Sequence, residues 1–167
     1  RTVMLGVAVA AVFATFGALH ASADEAVDAL IKQIIGDARS NSERASKLYA
    51  AGQVAKDTPE IQVVLLSKSV EYGMKSIIVP EARITVQSAV ALLETVAPEC
   101  GDQWRAMNLD LHRRWFQVAK SRDEKETVAG KLIELQTAQG RDFGSKGNWS
   151  EATAAFREAY SVASLLN

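Results

Sequence analysis

His112-Arg113-Arg114-Trp115, followed by Lys120 and Arg122, is the densest group of side chains able to bind charge in this 167-residue sequence. An arginine offers a planar fork of donors to phosphate or carboxylate, and a tryptophan face can stack on a base or a cation. Asp123, Glu124 and Glu126 offset the patch at once. Trp115 also continues an apolar stripe through Trp104, Met107 and Leu111, and large aromatics on such a stripe read as core. Of the 2 histidines, His20 lies in the N-terminal apolar segment and His112 is the other. Set among arginines with no carboxylate pattern beside it, His112 reads as an exposed side chain and not as a general base. His112, Arg113 and Arg114 remain a candidate anion-binding patch.

Other reactive groups are sparse. Cys100 is the single cysteine, so no intrachain disulfide can form. It sits in Pro98-Glu99-Cys100-Gly101, which reads as an interhelical turn with no activating base nearby. No glycine-rich phosphate loop, metal-ligand pair or nucleophile elbow occurs. The paired carboxylates Asp24-Glu25 and Glu124-Glu126 suit helix starts, where the macrodipole favours negative charge. The expectation is a protein that is not an enzyme and uses neither cofactor nor metal. Asn148-Trp149-Ser150 matches the glycosylation acceptor pattern, but Asn148 follows Gly147 and reads as a turn residue.

A hydrophobic content of 48% with 23% charged residues describes a globular chain. The formal charge of −1 argues against a dedicated nucleic-acid binder, which carries a marked basic excess. Residues 1–23 stand apart. After Arg1 no Asp, Glu, Lys or Arg appears until Asp24, and the stretch ends in Ala21-Ser22-Ala23. A positive start, an apolar run and a small-residue end form the secretory signal pattern, with cleavage expected between Ala23 and Asp24. The competing reading is an uncleaved anchor, since residues 2–19 are about long enough to span a bilayer. The expected location is therefore exported: periplasmic, cell-envelope or secreted, or membrane-anchored through residues 2–19.

Past Asp24 every informative window has a helical period. Val27, Leu30, Ile31, Ile34 and Ile35 form one apolar stripe. A weaker helix follows from Glu43 to Lys56, with Ala45, Leu48, Tyr49 and Ala55 inward. Thr58-Pro59-Glu60 signals a helix start through a capping hydroxyl, a proline at the first position and an acid. That helix carries Ile61, Val64, Leu65, Val70 and Met74, and Pro80 ends it or begins the next. Val86, Ala89, Val90, Leu93 and Val96 continue to Pro98, and a further helix holds Trp104 to Ala119. Ser121 to Glu126 opens another, and the last runs from Trp149 to Leu166. About seven helices joined by short connections must pack as antiparallel neighbours, so the fold is expected to be all-α.

Gly140, Phe143, Gly147, Trp149, Ala152, Phe156 and Ala159 resemble the signature of a tetratricopeptide repeat (TPR), over residues 133–166. Gly140 permits close approach of the partner helix, Phe143 fills the gap, and Gly147-Asn148 supplies the turn. Ala152, Phe156 and Ala159 then face the shared core. Upstream, Tyr72-Gly73 and Ala89 to Glu94 with Pro98 look like a degenerate second copy, though no gap-free register satisfies both halves. The final repeat also has Gln136 where the signature expects a large aromatic. The resemblance implies a right-handed antiparallel helical-hairpin solenoid across residues 24–167, with three hairpins and an extra N-terminal helix.

It further implies protein or peptide binding in a concave groove, with Glu134, Thr137, Arg141 and Ser145 at the groove-facing positions; the bland reading is ordinary solvated helix. The carboxylate clamp of some family members is not reproduced. The expected role is thus an exported TPR-like adaptor or scaffold of the cell envelope with a protein or peptide partner. The alternative is a self-associating subunit, since "SVASLLN" gives the C-terminal end little polar capping. A small-molecule-binding helical domain ranks third. No nucleic-acid partner is expected, and membrane contact only if the N-terminal segment is retained.

Overall fold

The computed structural model describes residues 20–166. Residues 1–19, which hold Arg1 and the apolar run, lie outside the described part, as does Asn167. The described chain is all-helical: α1 (His20–Ile35), α2 (Asn41–Val54), α3 (Pro59–Met74), α4 (Pro80–Val96), a 3₁₀ turn (Pro98–Cys100), α5 (Gly101–Val118), α6 (Arg122–Ser145) and α7 (Trp149–Ser164). It forms two compact units that divide at Gly101 and Asp102. The expected cleavage point between Ala23 and Asp24 falls in the first turns of α1.

In the first unit the stripe of α1 delivers Leu30 and Ile31 to the core, where Ile31 packs with Leu48, Ala51, Ala55 and Leu65. Gly36, with φ of +43°, ends α1. Ser40 then caps α2: its Oγ accepts the Glu43 amide at 3.1 Å, while the Glu43 carboxylate accepts the Arg39 amide at 2.9 Å. This reciprocal arrangement satisfies amide donors that have no partner inside a helix. Thr58 behaves differently from its sequence expectation. Pro59 does open α3, but the Thr58 side chain caps nothing, and its hydroxyl donates back to the Ala55 carbonyl at 3.3 Å.

Helices α2 and α3 are stitched by two buried side chains. Ser69 Oγ donates to the Ala45 carbonyl at 2.7 Å, and Gln62 Nε2 donates to the Gly52 carbonyl at 2.9 Å. The two donors are seven residues apart, as are the two acceptors, and they run in opposite order, as an antiparallel pair requires. Between them Leu66 covers Gly52, where an added Cβ would lie 2.8 Å from Leu66 Cδ2. At the next contact Gly73 of α3 receives Val86 of α4 at a distance no Cβ would tolerate, with Ala82 and Ala89 flanking Val86. Helix α4 also reaches back to α2 through a Ser46–Thr85 hydroxyl pair at 3.4 Å.

In the second unit α6 and α7 form the hairpin whose turn the sequence marks. Asn148 N–H donates to the Phe143 carbonyl at 2.9 Å and Gly147 N–H to the Gly144 carbonyl at 3.1 Å. Gly147, with φ of +78°, occupies the left-handed position this helix-ending motif needs. An added Cβ at Gly140 would lie 2.9 Å from the Phe156 ring, so the expected close approach is present. One aspect differs from expectation. Phe156 is 43% exposed despite covering Gly140, and Trp149 and Tyr160 are 71% and 77% exposed. The buried side of α7 consists of Ala152, Ala155, Ala159 and Val162. Leu109 of α5, Ala129 and Leu132 of α6 and Val162 close the core, with Phe116 and Leu166 against it.

Candidate functional site

The three helices of the second unit leave a pocket of about 360 Å³ between them. Phe116, Leu132, Val162 and Leu165 supply apolar wall, Gln117 and Ser161 lie at the sides, and Arg113, Gln136 and Glu158 bring polar groups. The last three form a network across α5, α6 and α7. Glu158 Oε2 accepts from Arg113 Nη2 and, at 2.9 Å, from Gln136 Nε2. Gln136 is 2% exposed and its Oε1 has no hydrogen-bond partner. Rotating the amide would set its oxygen against the carboxylate, so the orientation is fixed by Glu158.

Sequence reasoning singled out Arg113 in a patch with His112 and Arg114, and that patch does not assemble. Successive helical residues point about 100° apart, and the three side chains go to three environments. His112 is buried at 2% exposure, against the expectation of a solvated side chain. Its Nδ1 lies 2.8 Å from the Asn108 carbonyl and its ring centroid 5.8 Å from that of Trp115. Burial lowers its pKa below the usual histidine value, opposed by the bond to Asn108. Arg114 turns outward and pairs with Asp110 at 3.0 Å. Arg113 alone reaches the pocket. Trp115 is half-buried and donates its indole N–H to Glu124 Oε1 at 2.7 Å. The other oxygen of Glu124 accepts the Lys120 amide at 3.2 Å, and Ser121 Oγ accepts the Glu124 amide at 3.1 Å. Trp115 thus fastens the end of α5 to the cap of α6.

The expected groove positions lie on α6 away from the pocket. Glu134 is exposed and pairs with Lys131 at 2.9 Å. Thr137 is half-buried, Arg141 is exposed, and Ser145 donates to the Asp142 carbonyl of its own helix at 2.8 Å. Each stands about 100° or more around the helix from Gln136. Near the far end of α6, Asp142 accepts Lys146 at 2.8 Å and lies 3.5 Å from Arg105. The Lys146 bond comes first among the causes that hold the Asp142 carboxyl below its usual value. Phe143 lines this smaller pocket of about 210 Å³.

Cys100 lies half-buried in the 3₁₀ turn as a free thiol. Among the described residues no group of three or more His, Cys, Asp or Glu side chains is placed to hold a metal. Among those residues, too, no helix is long and apolar enough to cross a membrane. No protein-family model matches the chain, and the curated proteins and solved structures compared with it yield no match.

Sequence reasoning missed Glu158 and the pocket role of Gln136. Gln136 did carry a signal, since it stands where the repeat signature expects a large aromatic. Glu158, 45 residues from Arg113, carried none.

Proposed function

We propose that this chain is a TPR-like protein-interaction module of the cell envelope, which contributes surface and shape and makes no bonds. The observation that carries the reading is the outer face of α7. Trp149, Phe156 and Tyr160 recur at helical spacing along it and all remain open to solvent. A contiguous aromatic stripe on a stable helix is the kind of surface partners cover. The three glycine contacts support the repeat part of the reading. Gly52, Gly73 and Gly140 each receive one large side chain of the following helix, namely Leu66, Val86 and Phe156. The four-and-three spacing of Ala152, Phe156 and Ala159 recurs as Ala82, Val86 and Ala89. The receiving side chain comes 16 residues after Gly140 but 13 after Gly73, which accounts for the missing gap-free register.

The test is a photo-crosslinking residue at position 160 in the full chain, in the envelope. A discrete adduct with another protein, lost when Trp149 and Phe156 are both changed to Ser, is the expected outcome. Adducts only between copies of this chain would favour the self-associating subunit, for which the same uncovered stripe speaks. No adduct from a folded chain would overturn both.

A further inference from the structure

The pocket between α5, α6 and α7 has walls of one kind and a rim of another. Phe116, Leu132, Val162 and Leu165 offer only apolar surface. At the rim Arg113 and Glu158 neutralise one another, and both bonds to the carboxylate converge on Oε2. Arg113 therefore keeps donors to spare, and Glu158 keeps Oε1. A carboxylate ligand would meet Glu158, and an amine would meet Arg113, so the rim disfavours either charge. The group that suits it is neutral and offers an acceptor and a donor together. A peptide amide is such a group. Gln136 Nε2, held on Glu158 Oε2 at 2.9 Å, fixes that carboxylate so that its other oxygen stays available to a donor. A volume of about 360 Å³ is at the small end of ligand pockets and fits an aliphatic or aromatic side chain with its adjoining amide.

We propose that this pocket receives an apolar side chain of a bound peptide segment, whose backbone amide bridges Arg113 and Glu158. The proposal rests on the interaction-module reading and names the chemistry of the partner. It lies around α6 from Glu134 and Arg141, so it is a different surface from the expected groove.

The probes are N-acetyl-leucinamide and N-acetyl-phenylalaninamide, titrated at millimolar concentration into the full chain and followed by backbone amide resonances. Shifts should concentrate in residues 113–117, 132–136 and 158–165. N-acetyl-leucine, which carries a free carboxylate, should bind at least tenfold more weakly. Ser161→Phe, at an exposed lining position, should weaken the amide probes at least tenfold while leaving the fold intact. Glu158→Gln retains an acceptor for Gln136 and removes the negative charge, so it should narrow or invert the preference for amide over acid. Equal binding of acid and amide by the unsubstituted chain would overturn the proposal, because the Arg113–Glu158 pair would then not read the amide. So would shifts that Ser161→Phe leaves unchanged, or no shift with either probe. Probe binding does not depend on capture at position 160. A bound probe without a cross-linked partner refutes the module and keeps the pocket; the converse refutes the pocket alone.

Discussion

Gly73, Gly130 and Gly140 all lie within helices, yet a methyl group added at each meets different surroundings. At Gly130 nothing stands within 4 Å, so Gly130→Ala should stabilise by roughly 0.5–1 kcal/mol through reduced backbone entropy. At Gly73 the methyl meets Val86, which is fully buried and stiff about its first torsion. Gly73→Ala should destabilise by about 1–3 kcal/mol. Gly140→Ala meets a Phe156 ring that is 43% exposed and free to swing outward, so its net effect should be small. Urea midpoints of the three variants should therefore rise, fall and hardly move. His112 makes a second prediction. Its folded pKa is depressed by burial, so the unfolded chain binds its proton more readily. The stability this group supplies is fully present above its unfolded pKa of about 6.5 and is lost as pH falls through the folded value. His112→Gln should flatten the dependence of the urea midpoint as pH falls below about 6.5. An unchanged slope would show that His112 is not the group responsible.

Two helix starts that look alike in sequence differ in what holds them. Ser121 and Ser40 each accept the amide three residues on, with a glutamate at that position returning to a backbone amide. Ser121→Ala should cost about 1 kcal/mol, read from the denaturation midpoint. Thr58→Ala should cost clearly less, because its hydroxyl bonds the Ala55 carbonyl and caps no amide of α3. The proline at the first position sets the backbone there without help. The Ser121 start was legible because a serine three residues before a glutamate specifies both partners locally. Thr58 was misread because its backbone, with φ of −137° and ψ of 77°, follows from the tight link to α2, which a motif does not encode. On α7 the alanines at 152 and 159 marked the buried side, and Ala155 and Val162 join them there. Phe156, expected inward with them, is 43% exposed, because the close packing of α6 on those alanines leaves its ring only the edge of the contact at Gly140.

At the scale of the whole chain, export and association make separable predictions. If residues 1–23 are removed as a signal, intact mass should place the mature N-terminus at Asp24. The denaturation midpoint should change little with that loss, since Val27, Ile31, Ile34 and Ile35, which pack in the core, are all retained. A mass retaining residues 1–23 would instead favour the anchor. Sedimentation at micromolar concentration gives a monomer if the α7 stripe serves a foreign partner, and a dimer or larger species if copies of the chain cover it.

The positions of the helices, the breaks at Gly36, Pro59, Pro80 and Gly147, and the Gly140 hairpin were all written in local sequence. Period and punctuation depend on residues within a turn or two of one another, and composition bounds the class. Which faces stay open, and which polar groups meet, depended on tertiary structure. Arg113 finds Glu158 across 45 residues and Gln136 finds it across 22, and His112 is buried through the packing of its helix. Such meetings are fixed by how helices approach, a property of several segments at once, and no single segment carries it.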